Sequence, residues 1–270
     1  MTSNGALRIK EAFAKGKALV CFVTGGDPSV AQTEAYILDM IKAGADVIEV
    51  GIPFSDPIAE GQVIQEANIR ALAADTNINS LFAMVQRLRL QGETKTPILF
   101  MGYLNPILHY GYDSFFSKCA INGVDGVIVA DLPYVEKCEI AAVAKAYGVA
   151  VISMIAPTTA DRIEEIASNA EGFIYLVSSL GVTGERSQLH AELGQTIARI
   201  RKVTTVPVAV GFGVHSPEQA QMLTASDAGI NADGVIIGSA LVRKIAASPQ
   251  TAGGEIAVLL NKIKTKMKNL

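Results

Sequence analysis

The chain has 270 residues, 50% of them apolar and 18% charged, with a formal net charge of -3. That length and apolar content support a large core, in one α/β barrel domain or in two smaller ones. The charge is near neutral and the basic residues are scattered, which excludes an electrostatic footprint for nucleic acid or for an anionic membrane surface.

At the N-terminus, Leu7 to Lys15 is predicted as a helix that covers the bottom of a barrel. The first apolar run, Ala18–Val23, is too short for a secretory h-region or a membrane span. Cys21, Cys119 and Cys138 are far apart and odd in number, without zinc spacing or a C-x-x-C pair. They read as free thiols, and the expected location is the cytoplasm. His109, His190 and His215 are isolated, so no His-based metal site is expected.

Eight short apolar runs follow one another along the chain. They are Ala18–Val23, Val47–Val50, Pro97–Met101, Gly126–Val129, Ala150–Met154, Phe173–Val177, Pro207–Val210 and Gly234–Ile237. Helical patterns lie between them, such as Ile37, Met40 and Ile41 with Lys42 in the last turn. Alternation of strand and helix predicts βαβ units and a parallel sheet. A weak internal echo joins Gly44–Gly51, Gly123–Asp131 and Ala232–Gly238, each a turn leading into a buried strand. Eight units of roughly 30 residues predict one (β/α)8 TIM barrel over residues 1–270. A doubly wound open sheet is the other reading; no strong G-x-G-x-x-G follows the first strand to support it. No Pro-, Gly- or Ser-rich linker divides the chain. Long loops are expected after strand 2, from Gly51 to about Gly61, and after strand 6, from Ser178 to about His190. Both would leave the C-terminal rim, where a barrel keeps its active site.

Glu49 is the residue that asks for chemistry. It is an ionisable group inside Val47-Ile48-Glu49-Val50, and burying its charge without a partner is expensive. It stands next to last in its strand, at the position of a catalytic side chain. Three glycine-containing segments follow late strands: Gly181–Gly184, Gly211–Gly213 and Gly238-Ser239-Ala240. Glycine lets backbone N–H groups approach an oxyanion, and a following helix adds its positive end, so a phosphate site is expected there. Across the mouth, Glu49 would act as general acid or base on the far end of a phosphorylated substrate. Phe22, Phe100, Tyr103 and Tyr175, near strand ends, would enclose a flat aromatic group. Asp56 and Glu60 are loop carboxylates and by themselves suggest only solvation.

These residues together resemble the tryptophan synthase α subunit family over almost the whole chain. The most specific stretch is Glu49-Val-Gly-Ile-Pro-Phe-Ser-Asp-Pro-Ile-Ala-Glu-Gly61. Met101-Gly-Tyr-Leu-Asn-Pro106, Val129-Ala-Asp-Leu-Pro133, Tyr175, Gly181–Gly184 and Gly211–Gly213 extend it. The resemblance implies a lyase that splits indole-3-glycerol phosphate into indole and glyceraldehyde 3-phosphate, with no metal or organic cofactor on this chain. It assigns the proton relay to Glu49, the indole N–H to Glu60 and pocket support to Tyr175. Thr183 would help the loop after strand 6 close. Gly184, Gly213, Gly238 and Ser239 would hold the phosphate, while Phe22, Phe100, Tyr103 and Ile155 would enclose the ring.

The family also implies a β subunit carrying pyridoxal phosphate, in an α2β2 complex. Asp56, Asn105, Pro106, Asp131 and Pro133 resemble the contact region. The sequence departs from the family pattern with Glu60 where Asp is usual and Gln62 where Pro is usual. Two other readings stay open: a sugar-phosphate isomerase or epimerase on the same kind of barrel, and a non-catalytic subunit that activates a partner.

Overall fold

In the computed structural model, residues 5–178, 186–211, 213–226 and 229–268 are described. Nine parallel strands form one sheet: β1 Ala18–Thr24, β2 Val47–Gly51, β3 Ile98–Gly102, β4 Gly126–Val129, β5 Ala150–Val151, β6 Ser153–Ile155, β7 Ile174–Val177, β8 Val208–Gly211 and β9 Gly234–Ile237. Their order is β5-β4-β3-β2-β1-β9-β8-β7-β6. The two ends of that order are consecutive in the chain. Among the described residues β5 pairs only with β4 and β6 only with β7. At Ile152 the chain passes from one neighbour to the other, and its N–H still donates to Val127 O at 3.0 Å. The fifth expected strand is therefore two short ones, and the sheet is a near-closed barrel of the TIM type.

Among the described residues twelve α-helices accompany it: α1 Gly5–Ala14, α2 Val30–Lys42, α3 Gln62–Ala73, α4 Ile78–Leu90, α5 Leu104–Tyr110, α6 Tyr112–Asn122, α7 Cys138–Ala146, α8 Ile163–Ser168, α9 Arg186–Arg201, α10 Pro217–Thr224, α11 Ser239–Ala247 and α12 Ala252–Lys268. Ser29 and Asn77 cap α2 and α4 through side-chain oxygens, as short polar residues do at helix starts. Among the described residues, no helix is long and apolar enough to cross a membrane.

The period of two along each strand divides the core. Val20, Val47, Leu99, Ile128, Ile152, Phe173, Ala209 and Ile236 turn inward and form one cluster. Ile9, Ala12 and Phe13 of α1 join that inner cluster from one end, so the helix stoppers the barrel. Leu19, Ile48, Val50, Ile98, Val127, Ile174, Leu176 and Val210 face outward into the helix layer. Each such side chain contributes about 1.5–3 kcal/mol on burial.

The echoed turns have a shared physical cause. Asp46, Asp125 and Asp233 immediately precede β2, β4 and β9. Each carboxylate accepts a backbone N–H from the adjoining strand: Leu19 to Asp46 at 2.8 Å, Ile98 to Asp125 at 2.9 Å and Val208 to Asp233 at 2.8 Å. Each also meets a cation. Lys264 pairs with Asp46, Arg8 and Arg89 with Asp125, and Arg201 with Asp233.

Candidate active site

Glu49 is fully buried, and neither carboxyl oxygen has a hydrogen-bond partner among the described residues. It shares the inward face of β2 with Val47 and sits in register with Phe22 on β1 and Leu99 on β3. Burial pushes its carboxyl up to about 8, because water is not there to solvate the anion and no cation among the described residues replaces it. Burial thus favours the neutral, protonated form of Glu49 at the barrel mouth.

Tyr175 on β7 belongs to the same inner face. Burial raises its hydroxyl far above the ordinary range, and the nearby Glu49 charge adds to the effect. Two glycines make room for the aromatic side chains here. A Cβ at Gly211 would lie 2.7 Å from the Tyr175 hydroxyl, and one at Gly51 would lie 2.7 Å from the Phe22 ring. Gly211 thus has a steric reason for being glycine that the phosphate reading does not need.

Phe22, Ile64, Ala67 and Val242 form a separate cluster, with Val63 and Met101 packed on it. Ile64 and Ala67 come from α3, and Val242 from α11. This apolar lining is continuous with the inner face through Met101. Tyr103 follows β3, packs its ring tilted against Phe54 at 5.3 Å and accepts the Ala59 N–H at 3.0 Å. It ties the loop after β2 to the mouth.

Two expected ring contacts lie elsewhere. Leu99 faces inward opposite Glu49, so strand alternation turns Met101 inward and Phe100 outward. Phe100 packs in the helix layer against Phe82 of α4 at 5.3 Å. Ile155 pairs with Leu176 on the outer face, while its neighbour Met154 pairs with Tyr175 and turns inward. Both corrections have one origin. A strand covered on both faces is apolar at every position, so its parity cannot be read from hydrophobicity. Register with Glu49 decides it for β3, and register with Tyr175 decides it for β6.

Glu60 ends the loop after β2. Asn68 Nδ2 donates to its Oε2 at 2.6 Å, and Gln65 Nε2 donates to its main-chain oxygen at 2.8 Å. Burial raises this carboxyl too, but hydrogen bonds from Asn68 and Tyr103 oppose the shift. Gly238 caps α11, whose first residue is Ser239, so that helix starts at the end of β9 with its N–H donors at the rim. Gly213 follows β8 with φ +82°. Thr183 and Gly184 lie outside the described residues, as does most of the segment expected to be the long loop after strand 6.

Asp56 and Asn105 are exposed, as is Pro133, while Pro106 and Asp131 are half-buried. Asp131 Oδ1 accepts the Leu104 N–H at 2.8 Å and so joins the loop after β4 to the start of α5. Ile58, Leu108 and Val135 are exposed by 80%, 56% and 59% on the segments after β2, β3 and β4, three adjacent strands. A cavity of about 300 Å³ opens along the segment after β4, between β4 and β6, with Lys137 bonded to Ser153 Oγ at 2.9 Å in its lining. Glu49 does not line that cavity.

A parallel barrel with a desolvated carboxyl at its C-terminal mouth and a helix start on the same rim defines a TIM-type barrel of the enzymatic kind. A family model described as tryptophan synthase alpha chain matches residues 9–270. The tryptophan synthase alpha chain of Lacticaseibacillus casei is 44% identical over 257 residues, covering 95% of this chain and 94% of its own. The crystal structure of the alpha subunit from Legionella pneumophila matches with a TM-score of 0.86 at 36% identity, covering 97% and 99% of the two chains. A chain of the tryptophan synthase α2β2 complex from Pyrococcus furiosus matches with a TM-score of 0.80 at 32% identity, covering 93% and 98%. This chain belongs to the tryptophan synthase alpha chain family, a family of lyases in tryptophan biosynthesis.

Proposed function

We propose that this protein cleaves indole-3-glycerol phosphate to indole and glyceraldehyde 3-phosphate. The observation that carries the reading is Glu49, buried, without a partner and raised to about 8 at the mouth. Such a group starts protonated near neutral pH, as a general acid must. It gives its proton to the ring carbon that bears the side chain, which makes that ring a cationic indolenine. The carboxylate then takes the proton from the hydroxyl on the adjacent side-chain carbon. As that oxygen becomes a carbonyl, the carbon–carbon bond breaks and its electron pair returns to the ring. One proton is delivered and one recovered, so Glu49 ends as it began.

Glu60 accepts the ring N–H, whose hydrogen bond strengthens as positive charge develops on the ring. Tyr175 supports the pocket beside Glu49. Phe22, Met101, Tyr103 and Met154 enclose the ring, the two methionines taking the roles first expected of Phe100 and Ile155. Gly213, Gly238 and Ser239 hold the phosphate, with the N-terminus of α11 favouring its charge. Gly184 completes the phosphate site and Thr183 the closure over the substrate.

The partner is a β subunit carrying pyridoxal phosphate, in an α2β2 complex. The exposed apolar residues Ile58, Leu108 and Val135, with Asp56, Asn105, Pro106, Asp131 and Pro133 around them, suit such a contact. The test is indole release from indole-3-glycerol phosphate by purified protein, with and without the β subunit. Release above the uncatalysed rate is expected in both, and no indole in either overturns the reading.

A further inference from the structure

Helix α3 buries Ile64, Ala67, Asn68 and Ala71, the i, i+3, i+4, i+7 spacing of a core-facing stripe. Asn68 is the polar exception and is 3% exposed. A buried amide calls for a partner. Its donor goes to Glu60 Oε2 at 2.6 Å, the short length of a charge-assisted bond. The helix that carries it is itself anchored. Arg70 forks onto the buried Asp27 after β1, at 2.8 and 2.7 Å. A carboxylate on a loop is thereby held from a fixed helix.

We infer that Asn68 is the positioning residue for Glu60, aiming its carboxylate into the mouth by donating to one of its oxygens. The inference rests on the lyase reading, in which Glu60 accepts the ring N–H. The glutamate arm has one more torsion than the aspartate usual in the family. A fixed donor at its end removes that freedom before substrate arrives. Burial pushes the Glu60 carboxyl up, and the Asn68 hydrogen bond is the largest effect pulling it back, ahead of the Tyr103 hydroxyl.

Asn68→Leu keeps the volume and removes the donor. Losing a donor to the anion raises the Glu60 carboxyl, so the acid limb of kcat/KM moves to higher pH. The expected loss is about tenfold at pH 6 and much smaller at pH 9. With Glu60→Gln already present, Asn68→Leu should lose its pH-dependent effect, because the two groups act as a pair. A loss equal at every pH, or one undiminished beside Glu60→Gln, overturns the inference.

If the leucine variant does not fold, the wild-type protein supplies a second measurement. The carboxyl 13C resonance of Glu60, assigned by its disappearance in Glu60→Gln, should report an ionised group at pH 7. A protonated Glu60 at that pH also overturns the inference. This titration needs no turnover. Wild-type protein that makes no indole defeats the lyase reading instead, and the two failures stay distinct.

Discussion

The two ends of the barrel treat carboxylates in opposite ways. At the α1 end, Asp125 is as buried as Glu49, yet it has Arg8, Arg89 and the Ile98 N–H around it. Burial raises both carboxyls. At Asp125 the two arginines and the backbone donor pull back, and at Glu49 nothing does. Asp46 and Asp233 repeat the Asp125 arrangement on β2 and β9. Asp46 and Glu49 are three residues apart, one just before β2 begins and one within it, facing into the mouth. The carboxylates that serve the fold are compensated, whereas Glu49 is left uncompensated, the condition of a group suited to proton transfer.

The comparison breaks first if Glu49 can be replaced without cost. Glu49→Gln keeps the shape and removes both proton transfers. Indole formation should fall by on the order of 10³-fold or more, with binding of a phosphate-bearing substrate analogue retained. Steady-state turnover and calorimetric titration of the analogue measure the two sides. Undiminished turnover would remove Glu49 from the chemistry. The opposite result is expected at the other end. Asp125→Ala orphans Arg89 and the Ile98 N–H, and removing one partner of a buried pair costs about 3–5 kcal/mol of stability. The folded fraction should keep its turnover, and urea unfolding beside an activity assay separates the two.

The pH dependence of stability sharpens the contrast further. The Glu49 carboxyl is about 8 in the fold and 4.5 as an ordinary glutamate. The folded protein therefore keeps a proton that the unfolded chain releases. The contribution of this group is fully present below about 4.5 and is lost as pH rises to about 8. Glu49→Gln has no proton to lose, so its stability relative to wild type should climb through that window and level off above it. The gain at pH 8 should be a few kcal/mol, read from urea unfolding at several pH values. A parallel pH profile for the two proteins would mean that Glu49 has a partner in solution.

Much of the barrel was legible because elementary patterns coincide there. Seven of the eight apolar runs became single strands, and the fifth divided at Ile152, where a strand must change neighbours to close the barrel. The glycine turns at Gly44 and Gly123 preceded strands as the echo implied, and the reason is the paired Asp that follows, which spacing alone does not reveal. Glu49 stood out because charge is conspicuous in an apolar run. Asn68 did not, although it lies in the apolar stripe of α3; the same test for a polar residue on a buried face would have found it. The glycine pattern around Gly211 suggests a phosphate turn, while the ring that Gly211 accommodates comes from another strand and is visible only in three dimensions.

Parity within the doubly covered strands was the part that hydrophobicity could not supply, and it yields the smallest prediction. Phe100 and Met101 are adjacent and both apolar, yet one faces Phe82 in the helix layer and the other faces the mouth. Phe100→Leu should lower stability by about 1–2 kcal/mol through looser packing, with KM unchanged. Met101→Ala should raise KM for indole-3-glycerol phosphate by about five- to tenfold, since it removes apolar contact with the ring. The side chain at 101 is half-buried, so its truncation leaves a smaller void in the free protein than a fully buried one would. Thermal unfolding and steady-state kinetics on the two variants decide between the faces. If Phe100→Leu moved KM and Met101→Ala did not, β3 would be turned by one residue, and Glu49, in register with Leu99, would no longer share an inward face with it.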